Sequence, residues 1–225
     1  MARELNFKKK DAASGTTTSV VVFLHGYGAD GADLLGLADP LGQYLPDTSF
    51  YAPDAPEKCA NNPFGYQWFP IPWLDGSSQE AATAGAARAQ EDIDAFLDIV
   101  MQAEEIGPEQ LIVVGFSQGT MMSLKTIPQR DEAIAGIVGF SGRLLEPETF
   151  ADHVKVRPPI LLAHGTADEM VPFTHFHEAG AILQEAGFTV YGHVMEGTGH
   201  GIAPDGLGAA LSFIAERLGV ELERG

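Results

Sequence analysis

The chain has 225 residues, of which 45% are apolar and 20% are charged. This balance is typical of a globular protein large enough to bury its own core, and it argues against a disordered chain. The formal net charge of −18 argues against binding nucleic acid or an anionic lipid surface, because a field of this sign repels phosphate.

The cysteine content and the N-terminus indicate the compartment. Cys59 is the only cysteine, so no disulfide can form within the chain, which is typical of a reducing environment. Residues Met1 to Lys10 lack the apolar core of a signal peptide, and no run reaches the ~18 apolar residues of a membrane span. We therefore expect a cytoplasmic protein without stable membrane insertion. The basic run Lys8 to Lys10 is too short to form a binding arm.

Short apolar runs alternate along the chain with segments of helical periodicity. The predicted strands are Ser19–Leu24, Ser49–Ala52, Leu111–Val114, Ile134–Phe140, Ile160–Ala163 and Thr189–Met195. The predicted helices are Asp33–Tyr44, Gln79–Ala103, Gln118–Pro128, Thr174–Ala186 and Gly206–Leu218. This alternation predicts one α/β domain over residues 1–225, with a mostly parallel sheet of about six or seven strands and helices on both faces.

One long segment, Pro53 to Ser78, has no regular periodicity. Loops of more than about 15 residues in compact domains are usually functional or disordered. This segment is rich in aromatic residues, which makes it too apolar for disorder. We expect it to pack over another part of the molecule.

The run Gly115-Phe116-Ser117-Gln118-Gly119 matches the G-x-S-x-G pattern of a nucleophile elbow. It directly follows the predicted strand Leu111–Val114 and directly precedes a predicted helix, which is the context that the motif requires. The sharp turn exposes the serine hydroxyl above the sheet, so Ser117 is the predicted nucleophile.

A serine nucleophile needs a histidine base, and a carboxylate that orients it. In this fold the chain order is serine, then the acid, then histidine. Asp168 follows the strand Ile160–Ala163, and His200 follows the strand Thr189–Met195. Both lie at the carboxyl edge of the sheet, where open α/β folds bind ligands. The sequence therefore predicts a Ser117, Asp168 and His200 triad on an α/β-hydrolase fold.

The reaction also needs two backbone donors for the developing oxyanion. Gln118 supplies the first, because it follows the nucleophile. The run His25-Gly26-Tyr27-Gly28 follows the first strand, and its glycines would let the Tyr27 N–H point inward. The alternative for this run is an ordinary glycine turn.

No metal site or cofactor is expected. His175 and His177 are two residues apart on a predicted helix, so they point to different faces, and no second pair at metal spacing accompanies them. His25 and His164 stand beside glycines at strand ends, where structural roles are at least as well supported as direct catalysis.

Taken together, these motifs resemble the phospholipase/carboxylesterase family, which includes the acyl-protein thioesterases. The runs that carry the resemblance are Leu24 to Gly28, Ala52 to Pro56, Gly115 to Gly119, Phe140 to Gly142, His164 to Asp168 and Gly199-His200. The resemblance implies a cofactor-independent hydrolase of esters or thioesters. It places the triad on Ser117, Asp168 and His200, and the oxyanion hole on Tyr27 and Gln118. It also suggests a homodimer, although no pattern in the sequence locates an interface.

The chain departs from the family pattern at two positions. Tyr27 stands where leucine is common, and Thr120 stands where a second glycine is frequent. Substrate choice is what these departures put in doubt. The aromatic loop, Phe64 to Trp73, corresponds to the region that lines or covers the active site in such enzymes. Trp68, Phe69 and Trp73 are therefore candidate substrate-binding residues. Plain packing is their alternative.

These inferences predict a serine carboxylesterase that acts on small to medium esters through an acyl-enzyme. The strongly acidic protein would disfavour anionic substrates at long range, so an uncharged or cationic ester is expected. One alternative is a thioesterase or lysophospholipase that uses the same triad. Another is a ligand-binding protein with a hydrolase fold and no catalysis.

Overall fold

The computed structural model describes residues 2–60 and 62–222. Its strands are β1 (Phe7–Lys10), β2 (Ser19–Leu24), β3 (Thr48–Pro53), β4 (Glu57–Lys58), β5 (Tyr66–Gln67), β6 (Leu111–Phe116), β7 (Gly136–Phe140), β8 (Ile160–Gly165) and β9 (Val190–Met195). Seven of them form one sheet in the order β1-β3-β2-β6-β7-β8-β9. Only the edge strand β1 is antiparallel to its neighbour, so the predicted mostly parallel sheet is confirmed.

Helices cover both faces of this sheet. They are α1 (Gly31–Leu35), α2 (Ala38–Gly42), α3 (Pro72–Asp75), α4 (Gln79–Glu104), α5 (Gln118–Thr126), α6 (Thr174–Glu185) and α7 (Pro204–Leu218). Strand residues alternate between the faces, as the pleat requires. Val20 and Val22 belong to a core cluster that includes residues of α4, α5 and α6, whereas Val21 and Phe23 belong to a cluster that includes residues of α1, α2 and α7. The sheet is therefore buried on both sides.

The prediction of one helix over Asp33–Tyr44 is wrong. The segment forms two short helices, α1 and α2, with a break at Gly36 and Leu37. Pro40 explains the break, because its ring lacks an N–H and would clash with the carbonyl of residue 36 in a continuous helix. Within α2, Pro40 lies in the first turn, where proline is tolerated.

The basic run Lys8 to Lys10 forms most of the edge strand β1, which periodicity did not predict. The strand pairs with β3 alone, so its polar side chains face solvent and protect the edge of the sheet. Lys9 lies 2.6 Å from Asp11 and 2.6 Å from Glu104. The run is thus part of the scaffold.

The segment Pro53 to Ser78 contains three short elements that periodicity did not predict, namely β4, β5 and α3. Backbone hydrogen bonds tie it to the loop after β2. The Gly28 N–H donates to the Tyr66 carbonyl at 2.9 Å, and the Tyr66 N–H donates to the Ala29 carbonyl at 2.9 Å. The segment is therefore attached to the carboxyl edge of the sheet.

Candidate active site

Ser117 occupies a strained turn between β6 and α5, with φ 53° and ψ −114°. This conformation is rare for a residue with a side chain and is typical of a nucleophile elbow. The flanking glycines allow it, because no side chain fits at either position. A Cβ at Gly119 would lie 1.8 Å from the Leu24 carbonyl oxygen, and one at Gly115 would lie 2.5 Å from the Thr120 nitrogen.

The carbonyl oxygen of Phe140, at the end of β7, holds this turn in place. It accepts hydrogen bonds from the Ser117 N–H at 2.9 Å and from the Thr120 hydroxyl at 2.7 Å. Both donors are buried, so the two bonds fix the elbow against the neighbouring strand. Thr120 therefore has a structural role beside Ser117.

His200 and Asp168 form a hydrogen-bonded pair at the same edge of the sheet. His200 Nδ1 lies 2.8 Å from Asp168 Oδ2. The other carboxylate oxygen, Oδ1, accepts from the N–H groups of Met170 and Val171 at 2.9 Å each. Burial alone would raise the pKa of Asp168, but the hydrogen bonds from His200, Val171 and Met170 lower it overall. An ionised Asp168 holds the proton of His200 on Nδ1, which leaves Nε2 as the basic nitrogen.

A cavity of about 610 Å³ brings most of the predicted residues together. Its wall includes Tyr27, Gln118, Ser117 and His200. Asp168 lies behind the wall, where its fully buried side chain contacts His200. Of the three residues in the predicted triad, Ser117 and His200 thus line one cavity, and Asp168 contacts His200 from behind its wall.

The loop after β2 approaches Ser117 closely. A Cβ at Gly26 would lie 3.3 Å from the Ser117 Cβ, so a larger residue would crowd the serine. Within residues 2–60 and 62–222, no protein acceptor binds the Tyr27 N–H. Gln118 is the first residue of α5, and the first N–H groups of a helix lack partners inside the helix. Two free backbone donors therefore flank Ser117.

His25 is a buried scaffold residue that supports this loop. Its Nε2 accepts from the Ala55 N–H at 2.9 Å, so the proton lies on Nδ1, which donates to the Gly26 carbonyl at 2.7 Å. Burial lowers the pKa of His25, although the Gly26 carbonyl opposes this effect. The ring is therefore neutral. It holds the end of β2 against the segment Pro53 to Ser78, which we call the aromatic segment.

His164 is a second buried histidine, and it lies near Asp168. Its Nε2 lies 2.8 Å from the Val171 carbonyl oxygen and 3.3 Å from Asp168 Oδ2. Burial lowers the pKa of His164, which keeps the ring neutral. The ring thereby packs against the carboxylate that holds His200.

Comparison with known proteins gives the family. The profile described as Phospholipase/Carboxylesterase matches residues 10–218. The chain belongs to the phospholipase/carboxylesterase family. Acyl-protein thioesterase 1 of Saccharomyces cerevisiae is 31% identical over 88% of this chain and 92% of its own length. A probable carboxylesterase of Oryza sativa subsp. japonica is 29% identical over 95% of this chain and 83% of its own.

Among solved structures, that of esterase PE8 superposes with a TM-score of 0.91 at 41% identity, covering 96% of this chain and all of that one. The predictions of an α/β-hydrolase fold and of a carboxylic ester hydrolase from this family are confirmed. In the described part of the chain, no helix is long and apolar enough to cross a membrane.

Tyr27, one of the two departures from the family pattern, lies on the cavity wall. Its hydroxyl is buried beside the thiol of Cys59, and burial together with this thiol raises the pKa of Tyr27 to about 12. The side chain is therefore a neutral phenol in this phospholipase/carboxylesterase, and it adds an aromatic surface next to the free N–H of its own residue.

The three aromatic residues singled out from the sequence occupy different places. Phe69 and Trp73 line the cavity, and Trp73 is 69% exposed at its rim. Trp68 does not line it. Its ring is wholly buried, and its Nε1–H donates to the His25 carbonyl at 2.9 Å. Trp68 therefore anchors the aromatic segment from behind.

The Gln118 side chain joins the elbow to this segment, which no motif predicted. Its Oε1 accepts from the Trp68 N–H at 2.8 Å, and its Nε2 donates to the Phe69 carbonyl at 2.8 Å. The side chain is fully buried. One residue thus offers its backbone N–H beside Ser117 and fixes the cavity wall through its amide.

Sequence reasoning also missed a group of polar side chains on the cavity wall. They are Lys125, Arg143 and Glu146, together with His175, to which the sequence analysis assigned no role at this site. They come from α5, from the loop after β7 and from α6, so their spacing along the chain carries no common signal. Only the folded chain brings them to the cavity that contains Ser117.

Proposed function

We propose that the protein is a serine carboxylesterase that hydrolyses small to medium carboxylic esters through an acyl-enzyme intermediate. The observation that carries this proposal is the 2.8 Å hydrogen bond between His200 and the buried Asp168, on the same cavity as the strained Ser117. A histidine that is oriented by a carboxylate and shares a cavity with a serine is the arrangement that activates a hydroxyl.

In the proposed mechanism, His200 Nε2 removes the proton of Ser117 as its oxygen attacks the ester carbonyl. The protonated ring, stabilised by Asp168, then donates that proton to the departing alcohol. Water attacks the acyl-enzyme in the second half of the reaction, again with His200 as the base. The acid leaves, and Ser117 regains its proton.

The proposed oxyanion hole consists of the Tyr27 and Gln118 N–H groups. Their lack of protein acceptors supports this role, because preorganised donors stabilise charge that develops only in the transition state. The position of Gln118 at the N-terminus of α5 adds a favourable helix dipole. Both donors belong to the backbone, so substitution of the Tyr27 side chain should not abolish the oxyanion hole.

The wall of the cavity favours a substrate with an apolar part. Phe69, Ile71, Trp73 and Leu74 contribute apolar surface from the aromatic segment. A volume of about 610 Å³ is within the range of pockets that bind small molecules. We therefore propose that Phe69 and Trp73 contact the substrate and that Trp68 supports them.

A p-nitrophenyl ester series from acetate to palmitate tests the proposal. Wild type should hydrolyse it with an optimum at a short or medium acyl chain, and Ser117→Ala and His200→Ala should lose that activity. His193→Ala is the matched control, since His193 makes a 2.9 Å hydrogen bond to Asp205 away from the cavity. Turnover that survives Ser117→Ala would contradict the mechanism.

The second candidate is a thioesterase, which is favoured by the names of relatives such as acyl-protein thioesterase 1 of Saccharomyces cerevisiae. Matched oxygen and sulfur esters of one acyl group decide between the two, since the preferred class has the higher kcat/KM. A lysophospholipase would instead prefer lysophosphatidylcholine. Failure of wild type to react with a fluorophosphonate probe would support a non-catalytic binding protein.

We also propose a homodimer in the cytoplasm. The single cysteine supports the compartment, and the family resemblance supports the dimer. Size-exclusion chromatography with light scattering should give a mass near twice the 23.9 kDa of the chain. A mass equal to that of one chain would contradict the dimer.

A further inference from the structure

Arg143 is a half-buried cation on the wall of the cavity that contains Ser117. Among the described residues, no carboxylate pairs with its guanidinium. Its hydrogen bond is a long one, from Nη1 to the Leu144 carbonyl at 3.4 Å. A guanidinium has five N–H donors in a planar fork, so most of its capacity is unused by the protein.

The fold fixes this residue close to the nucleophile. Arg143 follows Gly142, which packs against the elbow so tightly that a Cβ there would lie 3.2 Å from the Ser117 carbonyl oxygen. The loop after β7 therefore delivers Arg143 to the cavity from beside the reacting serine. Arg143 lines the space where the substrate of the proposed reaction would lie, and it also lines a neighbouring cavity of about 320 Å³.

The neighbouring charges do not neutralise it. Lys125 and Glu146 lie 2.7 Å apart and form their own ion pair. His175 Nδ1 lies 2.8 Å from Glu178 on the same helix. Glu148 and Glu178 line a neighbouring cavity together with Arg143, but neither forms an ion pair with it among the described residues. Arg143 thus provides a positive charge without an ion-pair partner, in a chain where 31 acidic residues outnumber 13 lysines and arginines.

A partly buried cation without a partner destabilises the protein, because it loses hydration and gains no ion pair in exchange. A carboxylate matches the fork of a guanidinium and accepts two parallel hydrogen bonds. The long-range field of the acidic protein opposes the approach of an anion, but this guanidinium acts at contact distance, where attraction is strongest. A monoanionic carboxylate also suffers less repulsion from Glu146 than a phosphate dianion would.

We propose that Arg143 is a specificity-determining residue that binds a carboxylate carried by the ester substrate. The inference rests on the proposed esterase function and narrows its substrate class to esters of acidic molecules. The ester lies at Ser117, and the second, free carboxylate of the same molecule pairs with the guanidinium.

Matched substrates test this inference. On the acyl side, the mono-p-nitrophenyl esters of adipic and suberic acids are compared with the corresponding terminal amides. On the alcohol side, 4-acetoxybenzoate is compared with 4-acetoxybenzamide. In at least one series, Arg143→Met should lower the acid-to-amide ratio of kcat/KM about tenfold, as expected for the loss of a charge-assisted hydrogen bond. Arg143→Lys should retain part of the ratio, because it keeps the charge but loses the fork.

Two further variants serve as controls. Arg157→Met removes an exposed arginine outside the cavity, whose Nε donates to the Ala186 carbonyl, and it should leave the ratio unchanged. Glu146→Gln removes a negative charge from the wall of the same cavity and should raise the ratio. Circular dichroism spectra of all variants report whether they fold.

The outcomes separate this inference from the proposed function. An acid-to-amide ratio that is the same in wild type and Arg143→Met, in both series, would overturn the carboxylate site while leaving the esterase intact. If Arg143→Met lowered kcat/KM for 4-acetoxyphenyl phosphate more than for 4-acetoxybenzoate, the carboxylate site would be overturned in favour of a phosphate site. Loss of the proposed function has a different signature, since wild type would then hydrolyse neither acid nor amide and Ser117 would not react with a fluorophosphonate.

Discussion

Asp168 accepts a 2.8 Å hydrogen bond from His200 Nδ1 while its own side chain is wholly shielded from solvent. A second pair in the molecule, His193 and Asp205, has nearly the same length at 2.9 Å, but the Asp205 side chain is 55% exposed. The two pairs differ in burial and in distance from Ser117. This difference provides a matched test of what the buried carboxylate does.

Asp168→Asn should lower kcat for ester hydrolysis by about 10²- to 10⁴-fold. The amide has nearly the size of the carboxylate, but it cannot stabilise a protonated His200 and it favours the wrong tautomer. Steady-state kinetics on a p-nitrophenyl ester measure the loss. Asp205→Asn is the control and should retain the rate of wild type. Equal effects of the two substitutions would indicate that Asp168 has no special role in the reaction.

Gln118→Ala should retain the backbone N–H beside Ser117 but release the aromatic segment. The substitution leaves the Trp68 N–H and the Phe69 carbonyl without their buried partner, which costs about 1–3 kcal/mol in the free energy of unfolding. We expect KM to rise for long acyl chains more than for acetate, because Phe69 belongs to the cavity wall. Urea denaturation and a chain-length series give the two readouts. Unchanged stability would show that the amide does not hold the segment.

Thr120 and Gly142 should be coupled in stability. A Cβ at Gly142 would lie 2.4 Å from both Cβ and Cγ2 of Thr120, so Gly142→Ala alone should destabilise the protein by about 1–3 kcal/mol. In a Thr120→Gly background both clashing atoms are absent, and the added cost of Gly142→Ala should be smaller. A double-mutant cycle on the free energy of unfolding measures this coupling. Strict additivity would contradict the contact.

The stability of the protein should fall as the pH drops below about 6.5, because of its buried histidines. Burial holds the pKa of His25 below its ordinary value of 6.5. Between the pKa of His25 in the folded protein and its pKa in the unfolded chain, the unfolded chain binds a proton that the folded chain does not. Stability therefore rises with pH in this window. The contribution of the neutral His25 ring to stability is complete above pH 6.5, and it is lost as the pH falls towards the pKa of His25 in the folded protein. The slope is at most ~1.4 kcal/mol per pH unit for each histidine.

His164 acts in the same direction, since burial lowers its pKa as well. We therefore expect wild type to lose unfolding free energy between pH 7.5 and 5.5, by at most about 3 kcal/mol for the two histidines together. His25→Gln should show a smaller loss over the same interval, whatever its stability at pH 7.5. Urea denaturation at both pH values measures the two differences. An equal loss in variant and wild type would show that His25 does not titrate in this way.

Local sequence determined most of the scaffold. The strand Ser19–Leu24 has the bounds that its apolar run predicted, and α4 ends one residue beyond its predicted end. Buried parallel strands and long amphipathic helices carry their signal in nearby residues, which is why periodicity identifies them. The elbow is equally local, because a strained serine between β6 and α5 requires glycines at fixed offsets.

Other features depend on contacts between residues far apart in the chain, and no local pattern encodes them. The polar strand β1 exists because β3 offers it a free edge. Trp68 lies behind the cavity rather than in it because its N–H groups bond to Gln118 and to the His25 carbonyl. Arg143 lines the same cavity as Ser117 because the loop after β7 packs on the elbow. The sequence by itself determined the fold class, the order of the predicted catalytic residues and the motif that carries them. Only the tertiary structure decided which side chains form the cavity wall, because that choice depends on which distant segments pack together.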